Sequence, residues 1–278
     1  MKIRNNILKL MLATCLLSSA HETMAQQDTI EVRTGKIITN SRMIAVGYTN
    51  VLDTYLSPQE YTGTDMRYLS HTIRRAPGSN WSTQLVHEGM FSYTHNRANN
   101  ADDMGGAYRF AFGMHRHYSF FDNRLELKVG GEAAIRAGFL YNTRGGNNPA
   151  QAQFDVNIGP SMAAAYTLYA KGHPLRFRYE LSVPLMGVMF SPNYGQSYYE
   201  IFSEGNYDHN IVPTTIVCAP SFRHMLTFDF DILKTTFRVG YLGDYRGAEV
   251  NDLKYHNYSS MFVIGFVKKF QISKFINR

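Results

Sequence analysis

The sequence is poor in what staples, charges or anchors an ordinary chain. It has two cysteines, Cys15 and Cys218, which excludes a disulfide-built scaffold. Charged residues are only 18%, against about 25% in soluble domains. After residue 25 no apolar run approaches the roughly 18 residues of a membrane helix. Tryptophan occurs once, at Trp81. G-x-S-x-G, H-E-x-x-H and Walker-type phosphate loops are all missing. What remains is aromatic: 19 Tyr and 18 Phe in 278 residues. Low charge combined with a mean hydropathy of −0.28 implies apolar residues diluted by regular alternation with polar ones.

The N-terminus reads as a targeting segment. Lys2, Arg4 and Lys9 precede the short apolar stretch 10–20, and Thr23-Met24-Ala25 offers small residues at the cleavage positions. A signal peptide over 1–25, cut before Gln26, is expected. This fits better than a lipoprotein site at Cys15, where Thr14 precedes the cysteine and Leu16-Leu17 continue the apolar run. Removing 1–25 leaves 253 residues and lowers the net charge from +6 to about +4. That charge is too small and too dispersed for a nucleic-acid partner. Cys218 remains as the single thiol, so no internal disulfide forms.

Apolar positions then recur with period two. Leu175, Phe177, Tyr179, Leu181 and Val183 face one way, while Arg176, Arg178, Glu180 and Ser182 face the other. The same pattern runs from Arg124 to Tyr141 and from Phe154 to Leu168. These runs are far longer than the usual strand of five or six residues. Ten strands are expected: 42–50, 62–74, 81–97, 104–120, 124–141, 152–169, 175–190, 214–230, 235–245 and 257–270. The first three alternate poorly, which leaves eight or twelve open. Short connections (75–80, 121–123, 170–174, 231–234) alternate with longer ones (51–61, 98–103, 142–151, 191–213, 246–256). The pattern predicts an all-β, antiparallel transmembrane barrel over 42–278 after a polar periplasmic segment, 26–41. A closed sheet pairs every backbone N–H and C=O within hydrocarbon. A soluble sandwich would bury its inner face and keep Arg and Glu off it.

The leader, the long strands and the ending Tyr258-Ser-Ser-Met-Phe-Val-Ile-Gly-Phe-Val-Lys-Lys-Phe270 resemble a bacterial outer-membrane β-barrel. Gly265 with its alternating aromatics resembles the C-terminal signal read by the outer-membrane insertion machinery. The mature chain also resembles an uncharacterised outer-membrane family, a domain of unknown function, from anaerobic Gram-negative bacteria. The resemblance implies a fold, an integral outer-membrane location, and lipid, lipopolysaccharide and the insertion machinery as partners. It implies no catalytic residue and no cofactor.

By alternation the lumen holds Arg67, Arg109, Lys128, Arg136, Arg176, Arg178, Arg223 and Arg238. They face Glu88, Glu126, Glu132, Asp155, Glu180 and Asp229. Mutual ion pairs filling a small barrel are expected, ahead of a narrow channel of weak anion preference. The outer loops, with Asp53, Glu60, Asp102, Asp103, Glu200, Glu204, Asp208, Glu249 and Asp252 against Arg144, Arg246 and Lys254, read as solvated and acidic. Tyr194, Tyr198, Tyr199, Phe202 and Tyr207 make loop 191–213 either a lid or a binding surface for an external ligand.

Catalytic candidates are few. His115 and His117 share a strand face, but two imidazoles without a third ligand make no metal site. Asp102-Asp103 and Asp208-His209, on two outer loops, resemble the carboxylate and Asp–His pairs of the omptin proteases. The omptin pairs stand two residues apart; these are adjacent and diverge in an extended chain. A structural or surface-recognition barrel is therefore the expected role, with a solute channel and then a hydrolase as alternatives.

Overall fold

The computed structural model describes residues 35–271, apart from 147, 171–172 and 234. The expected signal peptide lies outside these residues. Twelve strand segments form one antiparallel sheet. In chain order they are β1 (Ile37–Asp53), β2 (Ser57–Arg75), β3 (Trp81–Asn96), β4 (Asp102–Phe120), β5 (Leu125–Asn142) and β6 (Ala150–Ala170), then β7 (His173–Ser182), β8 (Met186–Phe190), β9 (Ile211–Thr215), β10 (Ser221–Ile232), β11 (Thr235–Val250) and β12 (Leu253–Gln271). β7 and β8 continue one stave past a break at 183–185, and β9 and β10 another past 216–220. The barrel has ten staves. It closes where β1 pairs with β12 along its whole length, from Ile37 opposite Gln271 to Asp53 opposite Tyr255.

The staves are long because the ladder continues where the polar sequence suggests loops. Stretches 51–61 and 246–256 are strand almost throughout, which corrects the expectation of long loops there. β11 turns into β12 through Asn251 and Asp252 alone, at φ 51° and 58°. Two consecutive positive φ values define the tight hairpin turn whose twist matches the strands, and Asn and Asp tolerate it. The connection after β8 is long, and it carries the short helix α1 (Tyr198–Phe202).

The break between β7 and β8 has a local cause. Pro184 offers no N–H, but its neighbours still bond β6: Val183 N donates to Pro160 O at 3.1 Å and Leu185 N to Ile158 O at 2.9 Å. The backbones approach closely here. A Cβ on Gly159 would sit 2.0 Å from the Val183 carbonyl oxygen, so only glycine fits.

The faces are inverted relative to a soluble protein. Tyr68, Phe91, Phe112, Ile135, Phe154, Phe177, Leu226, Phe262 and Ile264 stand outward and exposed. Arg67, Glu88, Arg109, Lys128, Arg136, Arg178, Asp229 and Arg238 point inward and are buried. Lys268, on the outward face of β12, lays its ammonium 5.9 Å from the Phe266 ring centroid, a snorkelling arrangement at the barrel's end. One sector of the lumen is apolar instead. Met43, Ala45, Leu69, Met225, Leu242, Met261 and Val263 form a buried cluster inside the wall.

Candidate functional site

The lumen holds a belt of ion pairs. Arg67 donates from Nη1 to Glu88 at 2.8 Å and to Asp244 at 2.5 Å, and from Nη2 to Asp65 at 2.7 Å. Arg223 meets the second Glu88 oxygen at 2.8 Å. Arg246 reaches Asp244 at 3.3 Å, and Arg136 reaches Asp155 at 2.7 Å. Arg109 bonds Glu132. β2 and β3 thereby meet β10 and β11 across the lumen, and every one of these carboxylates has a guanidinium. Charge-assisted pairs of this kind hold in a dry interior only when well partnered.

Sequence reasoning missed Asp65 and Asp244 and misplaced Arg246. Arg246 was expected on an outer loop; it lies inside β11, its side chain 14% exposed. The signal was available: Arg246 stands two residues after Asp244 and eight after Arg238, hence on the same face. Of the other expected lumen residues, Arg178 pairs with Glu180 at 2.5 Å, Arg176 with Glu126 at 2.5 Å, and Arg238 with Asp229 at 2.6 Å.

The half of the lumen near the short turns is more open. A cavity of about 380 Å³ is lined by Arg75, Lys128, Arg176, Arg178, Arg238 and Lys269, with Glu126, Asp229 and Asp231 opposing them. His117 borders it, bonded to Glu126 at 2.6 Å and to Ser82 at 2.7 Å. His115 instead meets Ser161 at 3.1 Å. The two imidazoles thus have separate partners. Among the described residues no three His, Cys, Asp or Glu side chains converge as metal ligands.

The opposite mouth is covered by the connection after β8. Ser197 caps α1, accepting from Glu200 N at 3.2 Å while Glu200 Oε2 accepts from Ser197 N at 3.3 Å. Ile201 is fully buried beneath it. Tyr198 turns inward: its hydroxyl donates to Gln151 Oε1 at 2.8 Å and accepts from Ala152 N at 2.6 Å. Tyr55, on the β1–β2 turn, stacks edge-on against Tyr198 and donates to Gln196 O at 3.0 Å. Asn251, on the β11–β12 turn, donates to Ser191 O at 3.2 Å and His209 O at 3.0 Å. Three other hairpins therefore tie the lid down. Of the five aromatics considered for binding, Tyr198 is an anchor, while Tyr194, Tyr199, Phe202 and Tyr207 are exposed.

The expected acidic rim is partly internal. Asp53 and Asp103 are buried, not solvated. Burial pushes the Asp53 carboxyl up to about 7, against the lowering effect of the bond from Tyr55 N. Burial likewise raises Asp103 to about 6, although Asn142 donates to it at 2.6 Å. Asp102 accepts from the Tyr93 hydroxyl at 2.9 Å on the other face of β4. Asp208 and His209 pair at 2.7 Å with both side chains more than three-quarters exposed. One carboxylate points in and the other out, so the two do not form a protease-like pair.

Residues 8–276 match a family model described as protein of unknown function (DUF3316). The chain belongs to that family. No curated protein matches it. Among solved structures, the translocator domain of autotransporter NalP from Neisseria meningitidis is 11% identical, with a TM-score of 0.35 and 95% of each chain covered. The outer membrane protease OmpT from Escherichia coli is 6% identical, with a TM-score of 0.39, covering 88% of this chain and all of that one. The attachment invasion locus protein Ail of Yersinia pestis is 13% identical, with a TM-score of 0.23, covering 83% and 99%. Similarity at this level transfers no role.

Proposed function

We propose that this DUF3316 chain is an integral outer-membrane barrel with a filled lumen and a lidded outer mouth that displays an aromatic recognition surface. The inversion of faces carries the reading: a closed wall apolar outside, with paired arginines and carboxylates within. Water would not tolerate so continuous an apolar exterior. Hydrocarbon requires it, and closure leaves no backbone edge unpaired. The short-turn end, with both β1 and β12 termini, faces the periplasm, and the lid faces outward. Lipid and lipopolysaccharide contact the wall, the insertion machinery reads β12, and the host is an anaerobic Gram-negative bacterium.

Recognition through the lid is favoured over passage because buried, mutually paired side chains and a buried apolar cluster occupy the lumen. Tyr194, Tyr199, Phe202 and Tyr207 supply flat surface for an external ligand at low entropic cost. The test combines gel mobility before and after boiling, membrane fractionation and planar-bilayer conductance. A heat-modifiable protein recovered with the outer membrane and electrically silent is expected. Recovery as a soluble protein without a mobility shift would overturn the membrane reading, and discrete conductance steps would overturn the filled lumen.

A further inference from the structure

The ion belt and the vestibule differ in one respect that points to a ligand. In the belt every buried charge has a counter-charge. In the vestibule Lys128 does not. It is 4% exposed, and the bond recorded for its Nζ is a long one, 3.4 Å, to the neutral Gln84 amide oxygen. Among the described residues no carboxylate lies within ion-pair distance of it. The nearby carboxylates are engaged elsewhere: Glu126 by Arg176 and His117, Glu180 by Arg178. Arg178 is also incompletely used. Its Nε reaches Glu180 at 2.5 Å, but its buried Nη2 has no partner among the described residues. Both residues line the same vestibule.

The register explains how they meet. Lys128 on β5 sits opposite Ala163 of β6, which sits opposite Glu180 of β7. One rung on, Glu126, Ala165 and Arg178 align in the same way. The two alanines of β6 leave open the space that larger inward side chains would fill. A point-like ammonium and a planar guanidinium therefore face one gap, both as donors only.

We propose that this vestibule is an anion site, in which Lys128 Nζ and Arg178 Nη2 together bind a phosphate group entering from the short-turn end. A tetrahedral phosphate presents several acceptors at once and so satisfies a lysine and an arginine aimed from different strands, which a single carboxylate does less completely. Its charge completes the pairing that the belt achieves with protein carboxylates. Free phosphate and the phosphate of a lipid headgroup share this chemistry. The proposal concerns the lumen and holds in detergent, so it does not depend on the membrane assignment or on the lid.

The experiment uses the full mature barrel refolded in detergent, with folding verified by far-UV circular dichroism. Phosphorus NMR line broadening is followed during titration with inorganic phosphate, and separately with glycerol phosphate. Saturable binding is expected for at least one probe, weakened at least tenfold in Lys128→Met and retained within a few-fold in Lys128→Arg. Binding of inorganic phosphate at comparable strength supports the free anion; preference for glycerol phosphate supports a headgroup. Absence of saturable binding to either probe in the unmutated protein overturns the proposal. So does equal binding by a folded Lys128→Met. If Lys128→Met does not fold, Lys128→Gln, which keeps a polar side chain without the charge, is expected to weaken binding in the same way; equal binding by that folded variant would overturn the proposal.

Discussion

The two halves of the lumen use the same residue types differently. Toward the lid, Arg67, Arg109, Arg136, Arg223 and Arg246 are matched by Asp65, Glu88, Glu132, Asp155 and Asp244. Toward the short turns, basic groups outnumber carboxylates and Lys128 stands without a counter-charge. The matched half is built to stay closed, because any charge removed from it leaves a buried partner exposed to no water. The unmatched half has charge to spare for something that arrives. The contrast separates groups that hold the barrel from groups available to a ligand, although sequence alone gives both the same inward alternation.

Stability measurements test that separation most directly. Replacing Arg67 with Met leaves Asp65, Glu88 and Asp244 without their shared cation. A loss of about 3–5 kcal/mol is expected in urea unfolding of the detergent-folded barrel. Lys128→Met removes a charge that has no protein partner, so its effect should be within about 1 kcal/mol, or stabilising. Equal losses in the two variants would erase the distinction between the halves.

The lid offers a second contrast, between what covers the lumen and what fills it. Deleting 194–207 removes the whole of α1, with the Tyr198 anchor and the buried Ile201. Heat-modifiable assembly should persist, because no β-ladder involves these residues. The bilayer should stay silent, because the belt remains. Conductance steps from this variant alone would show that the lid, not the belt, is the seal.

Much of this was legible in the sequence, for a physical reason. From β5 to β7 the wall is apolar outside and charged inside, so period two is visible at once. β1, β2 and the upper part of β11 hid theirs. On β2, Leu69 and Tyr61 point into the lumen beside Asp65 and Arg67, so both faces mix apolar and polar groups. The apolar sector inside the barrel blurred the very strands that build it. The tips were missed for another reason. Once a ladder has formed, backbone bonds extend it through residues with no apolar pattern, such as 246–250, and only the Asn251-Asp252 turn marks its end. Tyr55 and Asn251, which tie down the lid, carry no motif; only three-dimensional closure brings them to it.

The smallest expected effect concerns how the lid responds to pH. Asp53 lies buried beside the turn whose Tyr55 holds Tyr198 and Gln196. Its carboxyl titrates at about 7 in the folded protein, against an ordinary value of 3.8. A group raised on folding binds its proton more tightly in the folded state, so its stabilising contribution is complete below about 4. It fades as pH rises through 7, where burial of the ionised form disfavours the closed mouth. Proteolytic cleavage within 191–210 should therefore rise a few-fold between pH 6 and pH 8. In Asp53→Asn, which keeps a neutral side chain at every pH, the profile should be flat and low. Asp103, raised to about 6, titrates in the same direction but lower, and its charge helps to raise Asp53, so Asp103→Asn should trim the acid end of the curve and move the main rise to slightly lower pH. An unchanged pH profile in Asp53→Asn would move the switch elsewhere in the mouth and leave the lid held by its hydrogen bonds and by Ile201 alone.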